Sequence, residues 1–251
     1  MAGRFATWPT DRGWSVVPKS PRRRQASAAD QVVYGRRAVA EAERGRRRVT
    51  RRWSLETGTS VEELTRLASS PDHQGVVAAV EPYPYADPTT LLGREDALVI
   101  ALDQVQDPRN LGAVCRSAEV AGAAGVVIAK RRAAQVTATV AKTSAGAIEH
   151  LPIAHVTNLA EWLEAAKRCG AWVYGADADA EQSYDTLDYR GRVVIVLGGE
   201  GKGLRPRVAA NCDSLVSIPR AGRVESLNVA AAAAVFSFEA IRSRRAAAEP
   251  I

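Results

Sequence analysis

Five consecutive apolar residues, Val193 to Leu197, run directly into Gly198, Gly199, Glu200, Gly201, Lys202, Gly203 and Leu204. A short, wholly apolar run of this kind reads as a strand buried on both faces. Two-sided burial is the habit of parallel sheets covered by helices. Four glycines within six positions at such a strand's carboxyl end mark the place where open α/β sheets bind ligands, and glycine serves where backbone must come close to a ligand or take a positive φ. A glycine-rich turn with no ligand is the plainer alternative. Two familiar loops fail on spacing. A G-x-x-x-x-G-K-[ST] phosphate loop needs glycine at Val196 and a hydroxyl at Gly203. A G-x-G-x-x-G fingerprint from Gly199 needs glycine at Leu204.

The rest of the chain alternates strand and helix patterns. Strands are expected at Leu98 to Leu102, Val126 to Ala129, Leu151 to Val156, Trp172 to Gly175, Val193 to Leu197 and Ser214 to Ile218. Helices are expected at Leu111 to Ala121, Ala138 to Lys142, Leu159 to Arg168 and Val229 to Ile241. That order implies a parallel sheet with helices on both faces. Upstream, Ala38, Val39 and Ala42 stripe a short helix that Gly45 ends, and Ser60-Val61-Glu62-Glu63 has the form of a capping box. The prolines of Glu81 to Pro88 mark a domain boundary. We therefore divide the chain into a basic arm without apolar periodicity (1–29), a small domain (30–81), a linker (82–96), the main domain (97–245) and a tail (246–251).

Charge is concentrated. Residues 1–52 carry 14 Lys and Arg against four Asp and Glu, leaving 20 against 24 in the remainder. Such a basic block attracts polyanions by counterion release, nucleic acid above all. An RNA-contacting or disordered arm ranks above a transit peptide or a merely solvated tail. Cys115, Cys169 and Cys212 are odd in number without C-x-x-C spacing, and His73, His150 and His155 are scattered, so reduced thiols and no metal are expected. No apolar run approaches the roughly 20 residues of a membrane span, and a cytoplasmic protein is expected.

Three polar clusters close three of these strands: Asp107-Pro108-Arg109-Asn110-Leu111-Gly112 with Arg116 beyond it, the glycine loop with Glu200, and Ile218-Pro219-Arg220-Ala221-Gly222-Arg223-Val224-Glu225-Ser226-Leu227-Asn228-Val229. All should meet at one sheet edge. In order and spacing, DPRNLGAVCRSA, LGGEGKGL and IPRAGRVESLNV resemble the three signature motifs of the SpoU (TrmH-like) branch of SPOUT methyltransferases. VVYGRRAVAEA, HQGVVAAV and TSAGAIEHLPI resemble the subgroup acting on guanosine of large-subunit ribosomal RNA.

The resemblance implies a carboxyl-terminal trefoil knot, an L30e-like α/β amino-terminal domain, a homodimer with a shared site, RNA as partner and S-adenosyl-L-methionine as cofactor. It implies that Gly198, Gly199, Ile218 and Leu227 line the adenosine pocket, and that Asn110, Arg116, Glu200, Ser226 and Asn228 serve the reaction. A guanidinium with a pKa above about 12 is a reluctant base, so Arg116 is assigned to phosphate holding and alkoxide stabilisation. Asn110 is a helix N-cap, an organiser of the site, or both. Glu200 is expected to brace the glycine loop through backbone N–H groups and to fix Arg116. Ser226 and Asn228 either cap the closing helix or reach substrate. Residues 30–81 are short for an L30e-like domain, with no clear second apolar strand between Leu55 and Ser60. The implied reaction is 2′-O-methylation of ribosomal RNA. Transfer RNA, a resistance-type ribosomal site, or a non-catalytic RNA-binding or assembly role are the alternatives.

Overall fold

The computed structural model describes residues 30–201 and 203–248. The basic arm, Lys202 and the last three residues lie outside that range. The first unit runs β1 (Gln31–Tyr34), α1 (Arg36–Arg44), β2 (Val49–Ser54), α2 (Val61–Ala68) and β3 (Val76–Val80), with an antiparallel sheet in the order β1-β3-β2. Ala38, Val39 and Ala42 are the buried stripe of α1 as expected. Strand β2 was not legible, because Val49-Thr50-Arg51-Arg52-Trp53 reads as a charge run. Its register against β3, and the Arg51 guanidinium lying 5.0 Å from the Trp53 ring centre, hold it extended. The Ser60 capping box is half made. Its hydroxyl accepts from Glu63 N at 3.2 Å, whereas the Glu63 carboxylate turns outward to Arg66.

The second unit follows as β4 (Leu98–Asp103), α3 (Pro108–Val120), β5 (Gly125–Ala129), α4 (Ala138–Thr143), β6 (Ile153–Val156), α5 (Leu159–Arg168), β7 (Trp172–Ala176), β8 (Gln182–Ser183), β9 (Val193–Gly198), α6 (Pro206–Ala209), β10 (Ser214–Ser217) and α7 (Val229–Ala248). Its seven strands are ordered β6-β5-β4-β9-β7-β10-β8, all in parallel pairings. The glycine-terminated strand β9 is central. Val193, Ile195 and Leu197 enter one core with α3 and α7, while Val194 and Val196 enter the other with α5 and α6, as the two-residue period of a strand requires. Each such side chain contributes about 1.5–3 kcal/mol on burial. The order reverses at β4: β5 and β6 extend one way, β9 and β7 the other. That reversal opens a crevice beyond the carboxyl ends of β4 and β9.

The two units share a core. Val33, Val39, Val76, Ala78 and Val80 belong to the same cluster as α3 and α7. The proline-rich stretch between them is anchored by Tyr83, 6% exposed, whose hydroxyl donates to the carbonyls of Ile148 and Leu151. Beside it the Arg47 guanidinium and the Glu149 carboxylate form an ion pair buried on both sides, with Arg47 Nη1 also donating to Gln31 Oε1. All three cysteines are free, and burial pushes the Cys115 and Cys212 thiols up to about 12. Removing one member of a buried pair strands the other charge. Arg47→Ala should therefore lower unfolding stability by about 3–5 kcal/mol in guanidinium titration, and the volume-matched Arg47→Met/Glu149→Leu pair should recover most of it. Cys115 should resist thiol reagents at neutral pH until denaturant is added.

Candidate active site

Strand β4 ends on Asp103, only 1% exposed. Its carboxylate accepts from Arg205 backbone N at 2.9 Å and from the Arg205 guanidinium at 2.7 and 2.8 Å. This clamp ties the far end of the glycine loop to the neighbouring strand. The near end is held by packing. Gly198 pairs in register with Asp103. A Cβ added at Gly199 would lie 2.7 Å from the Gln104 carbonyl oxygen, and one at Gly198 2.3 Å from that of Gly203. Both glycines are thus required first by the approach of chain to chain, and Gly199 and Gly203 close the loop by an antiparallel bridge. Asp103 and Arg205 were not singled out in the sequence, although an acid directly terminating a buried strand is a signal that could have found them.

Helix α3 is capped by Asp107, which accepts from Arg109 N at 2.7 Å, with Pro108 next. The cap is therefore not Asn110, which sits in the first turn of the helix. Asn110 Nδ2 donates to Glu200 Oε1. Asn228 Nδ2 donates to Asn110 Oδ1 at 3.0 Å and to Glu200 Oε1 at 3.1 Å, and Asn228 Oδ1 accepts from Ala230 N at 2.8 Å at the start of α7. One residue from each of the three polar clusters is locked into a single joint. Of the two readings of Asn228, the structure shows the cap on α7, while its Nδ2 turns to Asn110 and Glu200. Glu200 makes no hydrogen bond to loop backbone or to Arg116 among the described residues. Its carboxylate holds the two asparagines.

The remaining predicted residues stand apart from that joint. Arg116 lies six residues along α3, about 9 Å up the axis, and is exposed, with no ion pair or hydrogen bond among the described residues. Ser226 is exposed and likewise makes none. Ile218 is half-buried against the main core. Leu227 is 52% exposed and Val224 79%, on a loop tied down by the Arg220 guanidinium, which donates to Glu225 O and to Asp179 Oδ1. Between the β4–α3 and glycine loops lies a cleft of about 210 Å³, lined by Gln104, Val105, Asp107, Asn110, Gly199 and Glu200. Among the described residues, the site offers an amide–carboxylate joint, backbone edges at the glycines, exposed apolar side chains at Val224 and Leu227, and Arg116 without an acidic partner.

Residues 97–238 match the sequence profile described as the SpoU rRNA Methylase family. YacO of Bacillus subtilis, whose name places it in the TrmH family of tRNA/rRNA methyltransferases, is 38% identical over 242 residues, 86% of this chain and 97% of that protein. The 23S rRNA (guanosine-2′-O-)-methyltransferase RlmB of Xanthomonas campestris is 53% identical over 148 residues, 59% of each chain. Among solved structures, the SpoU methyltransferase AviRb of Streptomyces viridochromogenes in complex with AdoMet superposes with a TM-score of 0.73 at 29% identity, covering 87% of this chain and 91% of that one. The chain spans 60% of the length of a Mycolicibacterium vanbaalenii relative to which it is 46% identical over 190 residues.

Hydrogen bonds to a charged acceptor are worth about 1.5–3 kcal/mol when buried and less at exposed sites. Asn228→Ala and Glu200→Ala should each destabilise the protein modestly. In a double-mutant cycle read by thermal unfolding, the two should couple by about 0.5 kcal/mol or more, whereas Ser226→Ala with Glu200→Ala should be additive.

Proposed function

The chain belongs to the SpoU rRNA Methylase family, and from that membership we propose that it methylates a ribose 2′-hydroxyl of RNA with S-adenosyl-L-methionine as donor. The target favoured by the RlmB likeness is a guanosine of 23S ribosomal RNA. One observation carries the reading: Asn110, Glu200 and Asn228, drawn from three separate segments of the chain, meet in one joint at the crevice of the parallel sheet. A glycine turn without a ligand has no need of such a joint.

The residues present fit the donor. Leu227 and Val224 expose apolar surface on the loop that ends at Asn228, and surface of that kind suits an adenine ring. Gly198, Gly199, Ile218 and Leu227 are the residues that would hold it, largely by main-chain groups. When bound, the donor supplies an electrophilic methyl on a sulfonium, whose charge vanishes on transfer and is disfavoured by a poorly hydrated site.

The chain's own part is positioning and charge. A 2′-hydroxyl is a weak acid, so reaction needs in-line placement and stabilisation of the alkoxide as it develops. Glu200 fixes both asparagines, leaving their outward edges to orient the ribose. Arg116, unengaged by acids among the described residues, grips a backbone phosphate and offsets the developing negative charge. The small cleft of a single chain supports a homodimer in which the partner completes the site. The likeness to SpoU structures supports a trefoil knot through which the carboxyl-terminal stretch passes, an L30e-like reading of residues 30–81, and action in the cytoplasm on ribosomal particles or their precursors. A transfer RNA target is the second reading, favoured by the paired tRNA/rRNA naming of the Bacillus relative.

Purified protein should transfer labelled methyl groups to ribosomal RNA, and mass-spectrometric mapping should find one 2′-O-methylated guanosine. Arg116→Ala should keep donor affinity in calorimetry while lowering kcat by about 10²-fold or more, the scale on which a lost oxyanion stabiliser is felt.

A further inference from the structure

A second cleft, of about 500 Å³, opens on the same carboxyl edge of the sheet, and Gln104 lines both. Its walls carry Arg131, Arg132, Arg205 and Arg207, with Glu161 the single acid among its lining residues. That acid is already engaged, accepting from Asn158 Nδ2 at 2.6 Å and lying 3.9 Å from the Arg207 guanidinium. Arg205 is held by buried Asp103. Arg131 and Arg132 are exposed and have no acidic partner among the described residues.

The cleft is held in shape by its surroundings. Lys130 N donates to Val156 O and Ala134 N to Val105 O, each at 2.9 Å. The Gln135 side-chain amide bridges the carbonyls of Ala129 and Ala133. Inside that frame Arg132 takes a left-handed φ of 58°, an uncommon conformation for a residue with a side chain, held only where the surroundings over-determine it. Guanidinium groups fork onto phosphate oxygens, and several at fixed spacing suit a run of phosphates.

We infer that this cleft seats the phosphates of the RNA strand flanking the nucleotide that enters the Asn110–Glu200–Asn228 site. The inference rests on the RNA-methyltransferase reading of that site, and it extends the substrate from one nucleotide to a strand laid across β4, β5 and β6. Such contacts set register and orientation without reading bases.

The test is Arg131→Gln with Arg207→Gln in the full chain, sparing Arg205, which satisfies Asp103, and Arg132, which needs its backbone. Binding of a short fluorescein-labelled single-stranded RNA is followed by anisotropy across a salt series, with ribosomal RNA used for turnover. The slope of log affinity against log salt should fall by about 1.4, at about 0.7 per phosphate contact on a single strand. KM for ribosomal RNA should rise about tenfold, and the Kd for S-adenosyl-L-methionine should not change. Arg131→Lys with Arg207→Lys, which keeps the charge, should restore the slope. An unchanged slope overturns the proposal, whatever KM does. The two readings separate cleanly: methyl transfer with an unchanged slope removes the cleft and keeps the reaction, while a reduced slope in a chain whose wild type transfers no methyl keeps the cleft and removes the reaction.

Discussion

A carboxylate held to 1% exposure at the end of a central strand has to be paired, and Asp103 finds its partner in Arg205, 102 positions away. The pairing fixes where β9's loop returns to the sheet. With that end pinned and Gly199 pressed onto the Gln104 carbonyl, the loop has one way to run, and Glu200 is delivered at the mouth of the crevice. Glu200 in turn sets Asn110 and Asn228. The placement of all three side chains is therefore downstream of the Asp103–Arg205 contact. A buried acid that lost its arginine would cost several kcal/mol and would release the loop that carries the site.

The amino-terminal unit is tied to this frame more closely than a proline-rich junction suggests. Tyr83 and the Arg47–Glu149 pair bury their polar groups between the units, each satisfied by a named partner, and the apolar side chains of β1 and β3 complete the core that α3 and α7 begin. The basic edge of β2 is thereby held at a set angle to the crevice.

Much of this was legible in the residues. Apolar runs such as Leu98 to Leu102 and Val193 to Leu197 gave strands and, from their continuity, two-sided burial. The asparagines and Glu200, which the structure brings together, stand out in the sequence because they lie in ordered motifs after strand ends. What stayed hidden depends on long-range pairing. Arg51 and Arg52 look like a solvated charge run until β3 lies beside them, and the two-residue β8 has no pattern to show. The Glu63 side chain was misassigned because Arg66, one turn on, competes for it better than its own helix N-terminus does. Arg116 was named by motif, and its isolation from Glu200 follows from helical geometry: six residues carry it to another face of α3.

Asn228 joins Asn110 across 118 positions while its backbone and side chain begin the last helix, accepting from Ala232 N and Ala230 N. Contacts so distant in sequence form late, after the chain entropy between them has been surrendered. All the strands of the sheet precede Asn228 in the chain, so the joint is the last of these contacts to have its residues in hand. A molecule cut short of α7 would lack the third member of the joint, leaving Asn110 and Glu200 paired only with each other.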